Sequence, residues 1–171
     1  MSDIADPNQP EVGTAALPDP QAEAEADAQL EQIEQDFEAT GPLVGIIMGS
    51  KNDMEKMEPA AKYLSEQGID SEVHVMSAHR DPDKVHEFCT TARARGLKVI
   101  IAGAGMSAAL PGVAAAQTDL PVIGVPILGK SLGGLDALLS AVQMPPGIPV
   151  ACVAIDGAKN AGVLAARIIN A

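Results

Sequence analysis

His79 and Arg80 stand side by side, with Ser77 two residues before them, in the polar run Ser77-Ala78-His79-Arg80. A guanidinium suits a phosphate or a carboxylate, and imidazole is the side chain best able to take and return a proton near neutral pH. The trio points to acid–base work on an anionic small molecule; the plainer reading is a surface loop with a capping serine. A second run, Gly49-Ser50-Lys51-Asn52-Asp53, offers a glycine for a tight turn and then Ser50 and Asp53 just ahead of an expected helix. The free N–H groups there attract anions, so the run is either a phosphate cradle or an ordinary cap, Asp being among the preferred N-cap residues.

A third run, GAGMSAALPG at 103–112, contains G-x-G-x-x-A at 103–108 and imitates a dinucleotide fingerprint. The fingerprint also wants an acid about twenty residues further on. Here the next apolar run ends Val125-Pro126 without one. The glycines read instead as allowing close backbone approach to a flat small ligand or a neighbouring subunit, or as simple turn formers. His74 is expected inside a strand, packed or at an edge, and His86 mid-helix facing solvent, so neither is assigned a role. Cys89 and Cys152 have no spacing suited to zinc or redox work and read as small apolar residues. No histidine pair joins an acid cluster for a metal, and there is no G-x-S-x-G elbow or Walker loop. The residues alone imply a phosphorylated small molecule with His79 moving the proton.

The elements that must carry these loops show in the hydrophobic pattern. Apolar runs at 43–48, 72–76, 97–102, 121–126 and 149–155 read as strands, and the stretches 54–67, 82–95, 107–117, 132–142 and 158–169 as helices. Alternation of this kind gives right-handed crossovers, so the expected fold is a three-layer, doubly wound parallel α/β sheet of about five strands. Ligands of such sheets bind beyond the carboxyl ends of the strands. That rule selects the three runs above and a fourth loop, Gly124 to Asp136.

Length and composition agree. The 171 residues suit one ordinary domain, and 47% hydrophobic residues with almost no aromatics demand a core of Val, Ile, Leu, Ala and Met. The net charge of −12 is local: residues 1–41 hold eleven acids and no Lys or Arg, whereas the remainder holds 12 acids against 11 bases. The segment 1–41 is therefore expected to be a solvated, disordered tail that contacts neither nucleic acid nor membrane, with a possible helix at 21–38, and 42–171 to be the single catalytic domain. With no basic start, no apolar leader and no stretch near eighteen apolar residues, the expected location is the cytoplasm.

The same loops resemble the N5-carboxyaminoimidazole ribonucleotide mutases of purine biosynthesis. The matching stretches are MGSKND (48–53), SAHRDP (77–82), AGAGMSAALPG (102–112), LPVIGVP (120–126), GLDALLSAVQMPPGIPV (134–150) and NAGVLAARI (160–168), nearly everything after the tail. The resemblance implies a flavodoxin-like sandwich assembled as a homo-octamer, with no metal or organic cofactor. It implies that Ser50, Asp53, Ser77 and Arg80 contact the ribonucleotide substrate, that the backbone of Ala104, Gly105 and Leu110 lines the pocket, and that His79 is the general acid/base. Arg80, where the carboxylase branch usually has Lys, favours the mutase. Three departures stand out: Ala109 replaces a usual histidine, Asn52 replaces a usual serine, and a further C-terminal helix is missing, its place expected to be taken by residues 21–38. The first two leave room for a non-catalytic ribonucleotide-binding paralogue, or for a related carboxylase acting on another heteroaromatic acid.

Overall fold

The computed structural model describes Gln21 and residues 41–171. Apart from Gln21 and Gly41, the acidic tail and its possible helix lie outside the described residues. The chain divides into two units, Met1–Asp36 and Phe37–Ala171, and the fold below belongs to the second.

Five strands, β1 (Val44–Met48), β2 (Ser71–Val75), β3 (Val99–Gly105), β4 (Val122–Ile127) and β5 (Ala151–Cys152), form one parallel sheet in the order β2-β1-β3-β4-β5. β1 and β4 are buried at every position, because helices cover both faces. The helices are α1 (Met54–Glu66), α2 (Pro82–Thr91), α3 (Leu110–Ala115), α4 (Leu135–Val142) and α5 (Ala158–Ile169). Alternation along each strand sorts the core into two layers. Ile47 and Ile100 face Val85, Phe88, Leu110 and Ala137 of α2, α3 and α4, while Ile46 and Ile101 face Met57, Leu64, Ala161 and Ala165 of α1 and α5. A fully buried isoleucine is worth about 1.5–3 kcal/mol, so these paired isoleucines hold both layers to the sheet.

The strand and helix alternation is as the sequence implied, and the topology is flavodoxin-like. Several boundaries differ from expectation; the helix expected over 82–95 ends at Thr91 and the strand expected from 97 begins at Val99, and four further differences have a visible reason. β5 covers two residues instead of the run 149–155. Gly124 and Pro126 present their carbonyls to this edge, accepting from Val153 N at 3.0 Å and Asp156 N at 2.8 Å, but Pro126 has no N–H to return and the ladder lapses. β3 runs on to Gly105, paired with Ile127, so Ala104 and Gly105 are strand residues and not loop residues. Gly103 also lies within β3, where an added Cβ would come within 2.8 Å of Met57 Cε; its bareness serves the packing of α1 and not a ligand. The helix expected from 107 begins only at Leu110, after Met106 turns the chain at φ 54°, and α4 begins at Leu135, after Gly133 and Gly134 with φ 59° and 82°.

No helix among the described residues is long and apolar enough to cross a membrane.

Candidate active site

The order 2-1-3-4-5 reverses direction between β1 and β3, and a crevice opens there at the carboxyl edge of the sheet. It holds a cavity of about 520 Å³ walled by the loops after β1, β2, β3 and β4. All eight residues singled out from the sequence, Ser50, Asp53, Ser77, His79, Arg80, Ala104, Gly105 and Leu110, line it.

The first wall is a single 3-10 turn, Lys51–Asp53. Ser50 is extended and caps it, its Oγ accepting from Asn52 N at 3.1 Å, so part of the capping reading holds for Ser50. Asp53, by contrast, opens α1 without a side-chain capping bond. Its carboxylate therefore has no capping duty. Burial lifts its pKa above the ordinary value, opposed by the Ser50 backbone N–H and by Lys56 and Arg80, while Asp156 adds to the rise.

The second wall is a closed turn. Asp81 N donates to Ser77 O at 2.8 Å, Ser77 N donates to Asp81 Oδ2 at 3.3 Å, and Arg80 N reaches the buried Ser77 Oγ at 3.4 Å. These bonds consume the base of the loop and leave His79 and Arg80 at its exposed tip. Arg80 Nη2 donates to Gly49 O at 2.6 Å, joining the second wall to the first, while the remaining guanidinium donors stay available to an anion. His79 has no side-chain partner among the described residues.

The third wall is Ala104 to Leu110 and the fourth is Ile127, Leu128 and Gly129. The sequence pointed to the loop after β4 without singling out Leu128 or Gly129; a glycine two residues past a buried strand was the available signal. Met106 and Ser107 lie within the third run selected from the sequence but were not singled out in it, and both line the cavity. Ala109 places a methyl group at the cavity, which leaves His79 as the only imidazole in the lining.

The other candidates lie apart. His74 sits on the β2 edge, its Nε2 3.2 Å from Glu72 Oε2 and its ring 5.3 Å from Phe88, and His86 is exposed on α2. Cys89 is buried, with its thiol pushed up to about 11 by that burial, and burial also raises Cys152. Neither is a nucleophile at neutral pH.

A doubly wound sheet with serine, aspartate, histidine and arginine gathered at its switch point defines a flavodoxin-like protein with a polar small-molecule site. The chain belongs to the AIR carboxylase family, whose model matches residues 43–171. It is 61% identical over 129 residues to the N5-carboxyaminoimidazole ribonucleotide mutase of Pyrococcus abyssi, covering 75% of this chain and 74% of that protein. To the mutase of the same name from Bacillus subtilis it is 58% identical over 132 residues, covering 76% and 82%. Among solved structures it is similar to Treponema denticola PurE, with a TM-score of 0.68 and 36% identity over 75% of this chain and 80% of that one.

Proposed function

We propose that this chain is a mutase that converts N5-carboxyaminoimidazole ribonucleotide to 4-carboxy-5-aminoimidazole ribonucleotide in purine biosynthesis. The observation that carries the reading is the cavity itself. It gathers an arginine, three serines, a carboxylate and a single imidazole at the carboxyl ends of the strands, in a chain about 60% identical to proteins bearing the mutase name.

In this reading Arg80, Ser50 and Ser77 bind the ribonucleotide, Asp53 accepts hydrogen bonds from it, and the backbone of Ala104, Gly105 and Leu110 shapes the pocket floor. The carboxylate leaves the exocyclic nitrogen as carbon dioxide, and that nitrogen takes up a proton given by His79 acting as the general acid. Carbon 4 of the ring then attacks the trapped carbon dioxide, and His79 removes the carbon 4 proton to restore aromaticity. The transfer is redox-neutral and moves one proton, so His79 supplies the chemistry that side chains must supply. Arg80 is permanently charged, whereas an imidazole takes and returns a proton near neutral pH. The catalytic domain is 42–171, and the enzyme works as a homo-octamer in the cytoplasm. Supporting assembly, Leu132, Leu135, Leu139 and Val142 leave an apolar stripe exposed along α4 and the turn before it.

The test is an assay of the purified protein with N5-carboxyaminoimidazole ribonucleotide, following the carbon-carboxylated product with and without added bicarbonate. Turnover without bicarbonate is expected. Ribonucleotide binding without turnover would overturn the mutase in favour of a binding paralogue, and turnover that depends on bicarbonate would make the protein a carboxylase.

A further inference from the structure

The backbone of Leu128 is held from both sides. Its N–H donates to Asp156 Oδ1 at 2.8 Å, its carbonyl accepts from Lys56 Nζ at 3.0 Å, and Lys56 and Asp156 close the ring at 2.9 Å. The two side chains come from distant parts of the chain. Lys56 lies in the first turn of α1, three residues after Asp53, and Asp156 lies in the loop between β5 and α5. Asp156 adopts φ 54°, a left-handed conformation that costs a non-glycine residue about 1–3 kcal/mol and that Asp tolerates better than most. In that conformation its own N–H bonds Pro126 O and its carboxylate turns back to Leu128.

The ion pair by itself adds little to stability. Each side chain is 32% exposed, and ion pairs at such sites contribute about 0–1 kcal/mol. What the ring fixes is a wall. Leu128 and Gly129 line the cavity, and an added Cβ on Gly129 would lie 3.7 Å from Met106 Cγ on the neighbouring wall. Movement at Leu128 therefore changes the width of the site.

We propose that Lys56 and Asp156 are positioning residues of the site: they hold the Leu128–Gly129 wall in place. The proposal rests on the reading of the cavity as a ribonucleotide site. The charged groups acting on Asp53 are Lys56 and Arg80, which draw its pKa down, and Asp156, which pushes it up. Removing either member breaks the ring, but the two removals move Asp53 in opposite directions.

The experiment is calorimetric titration of the full chain with aminoimidazole ribonucleotide between pH 4.5 and 8, for the parent, Lys56→Met, Lys56→Arg and Asp156→Asn, with thermal melts to confirm folding. A parent that binds nothing overturns the ribonucleotide reading, and this inference with it. With a parent that binds, Lys56→Met is expected to bind about tenfold more weakly at pH 7.5, the size of one lost charge-assisted hydrogen bond, and Lys56→Arg to recover most of that loss. Asp156→Asn keeps an acceptor for Leu128 N–H and is expected to lose less. The acid limb of binding should move to higher pH in Lys56→Met and to lower pH in Asp156→Asn. Binding at parent strength in both variants overturns the proposal, as does movement of both limbs in the same direction, which a merely structural role would produce. If Lys56→Met fails to fold, the Asp156→Asn limb carries the test alone.

Discussion

Arg80 donates from Nη2 to the carbonyl oxygen of Gly49 at 2.6 Å, across 31 residues of sequence, and so locks the loop after β2 to the loop after β1. Because β1 and β2 are adjacent and parallel, with Met48 opposite Val75, their loops leave the sheet together and one long side chain can span them. A guanidinium can make this bond and still offer donors to an anion, whereas an ammonium at the same place is a point charge on a flexible stem. Arg80→Lys should therefore lower kcat/KM by about 10- to 100-fold, the scale of hydrogen bonds to a charged group, chiefly through KM. Steady-state kinetics decide it; unchanged kinetics would show that the bond to Gly49 has no part in ligand binding.

His79 is exposed and has no side-chain partner among the described residues, so replacing it removes nothing that holds the fold. His79→Asn should melt within about 0.5 kcal/mol of the parent, as surface substitutions do, and lose about 10²–10⁴ in turnover, the usual worth of a positioned proton-transfer group. Binding of aminoimidazole ribonucleotide should largely persist. A variant that keeps full turnover would move the proton transfer to another group and remove His79 from the mechanism.

Asp53 carries a stability cost that changes with pH. Its folded-state pKa is raised above the ordinary 3.8, chiefly by burial, so the folded protein binds a proton more readily than the unfolded chain. The sign follows from linkage: stability is greatest below 3.8, where both states are protonated, and falls as pH rises through the folded pKa. Asp53→Asn does not titrate. Its stability relative to the parent should therefore increase as pH rises from the acid range to neutrality, while ribonucleotide binding at neutral pH weakens. Paired denaturant titrations at several pH values measure the first effect and calorimetry the second. A pH-independent stability difference would mean that the carboxyl is not perturbed by burial.

The sheet was legible because its central strands β1, β3 and β4 are rich in Val and Ile buried on both faces, and the site was legible because open α/β sheets place ligands at strand ends. Ser77, His79 and Arg80 announced themselves by type and neighbourhood. Other features escaped for physical reasons. The length of β5 depends on whether the neighbouring strand returns an N–H, and Pro126 withholds one. Gly103 read as allowing close backbone approach to a flat ligand or a neighbouring subunit, or as a turn former, but its bareness answers to Met57, a contact between elements that only packing reveals. Lys56 and Asp156 are 100 residues apart and each resembles an ordinary surface charge. Only the crossover that brings α5 beside α1 makes them a pair.

That crossover is set by a close contact between α1 and α5. Gly162, in the middle of α5, faces Ala60 of α1, and an added Cβ would lie 2.9 Å from the Ala60 carbonyl oxygen and 3.2 Å from its Cα. On an exposed helix, glycine to alanine gains about 0.8–1 kcal/mol of helix propensity. Here the obstacle is backbone, which cannot rotate away as a side chain can, so the helices must separate. Such overpacking costs about 1–3 kcal/mol, which exceeds the propensity gain at most of its range. Gly162→Ala should therefore lower Tm despite better intrinsic helicity. It should also weaken ribonucleotide binding, because α1 carries Lys56, Asp156 leads into α5, and a shift between the helices pulls that ion pair apart. Thermal melts and calorimetry on the one variant test both effects. An unchanged or raised Tm would show that the two helices can part at no cost and that their spacing does not set the Lys56–Asp156 distance.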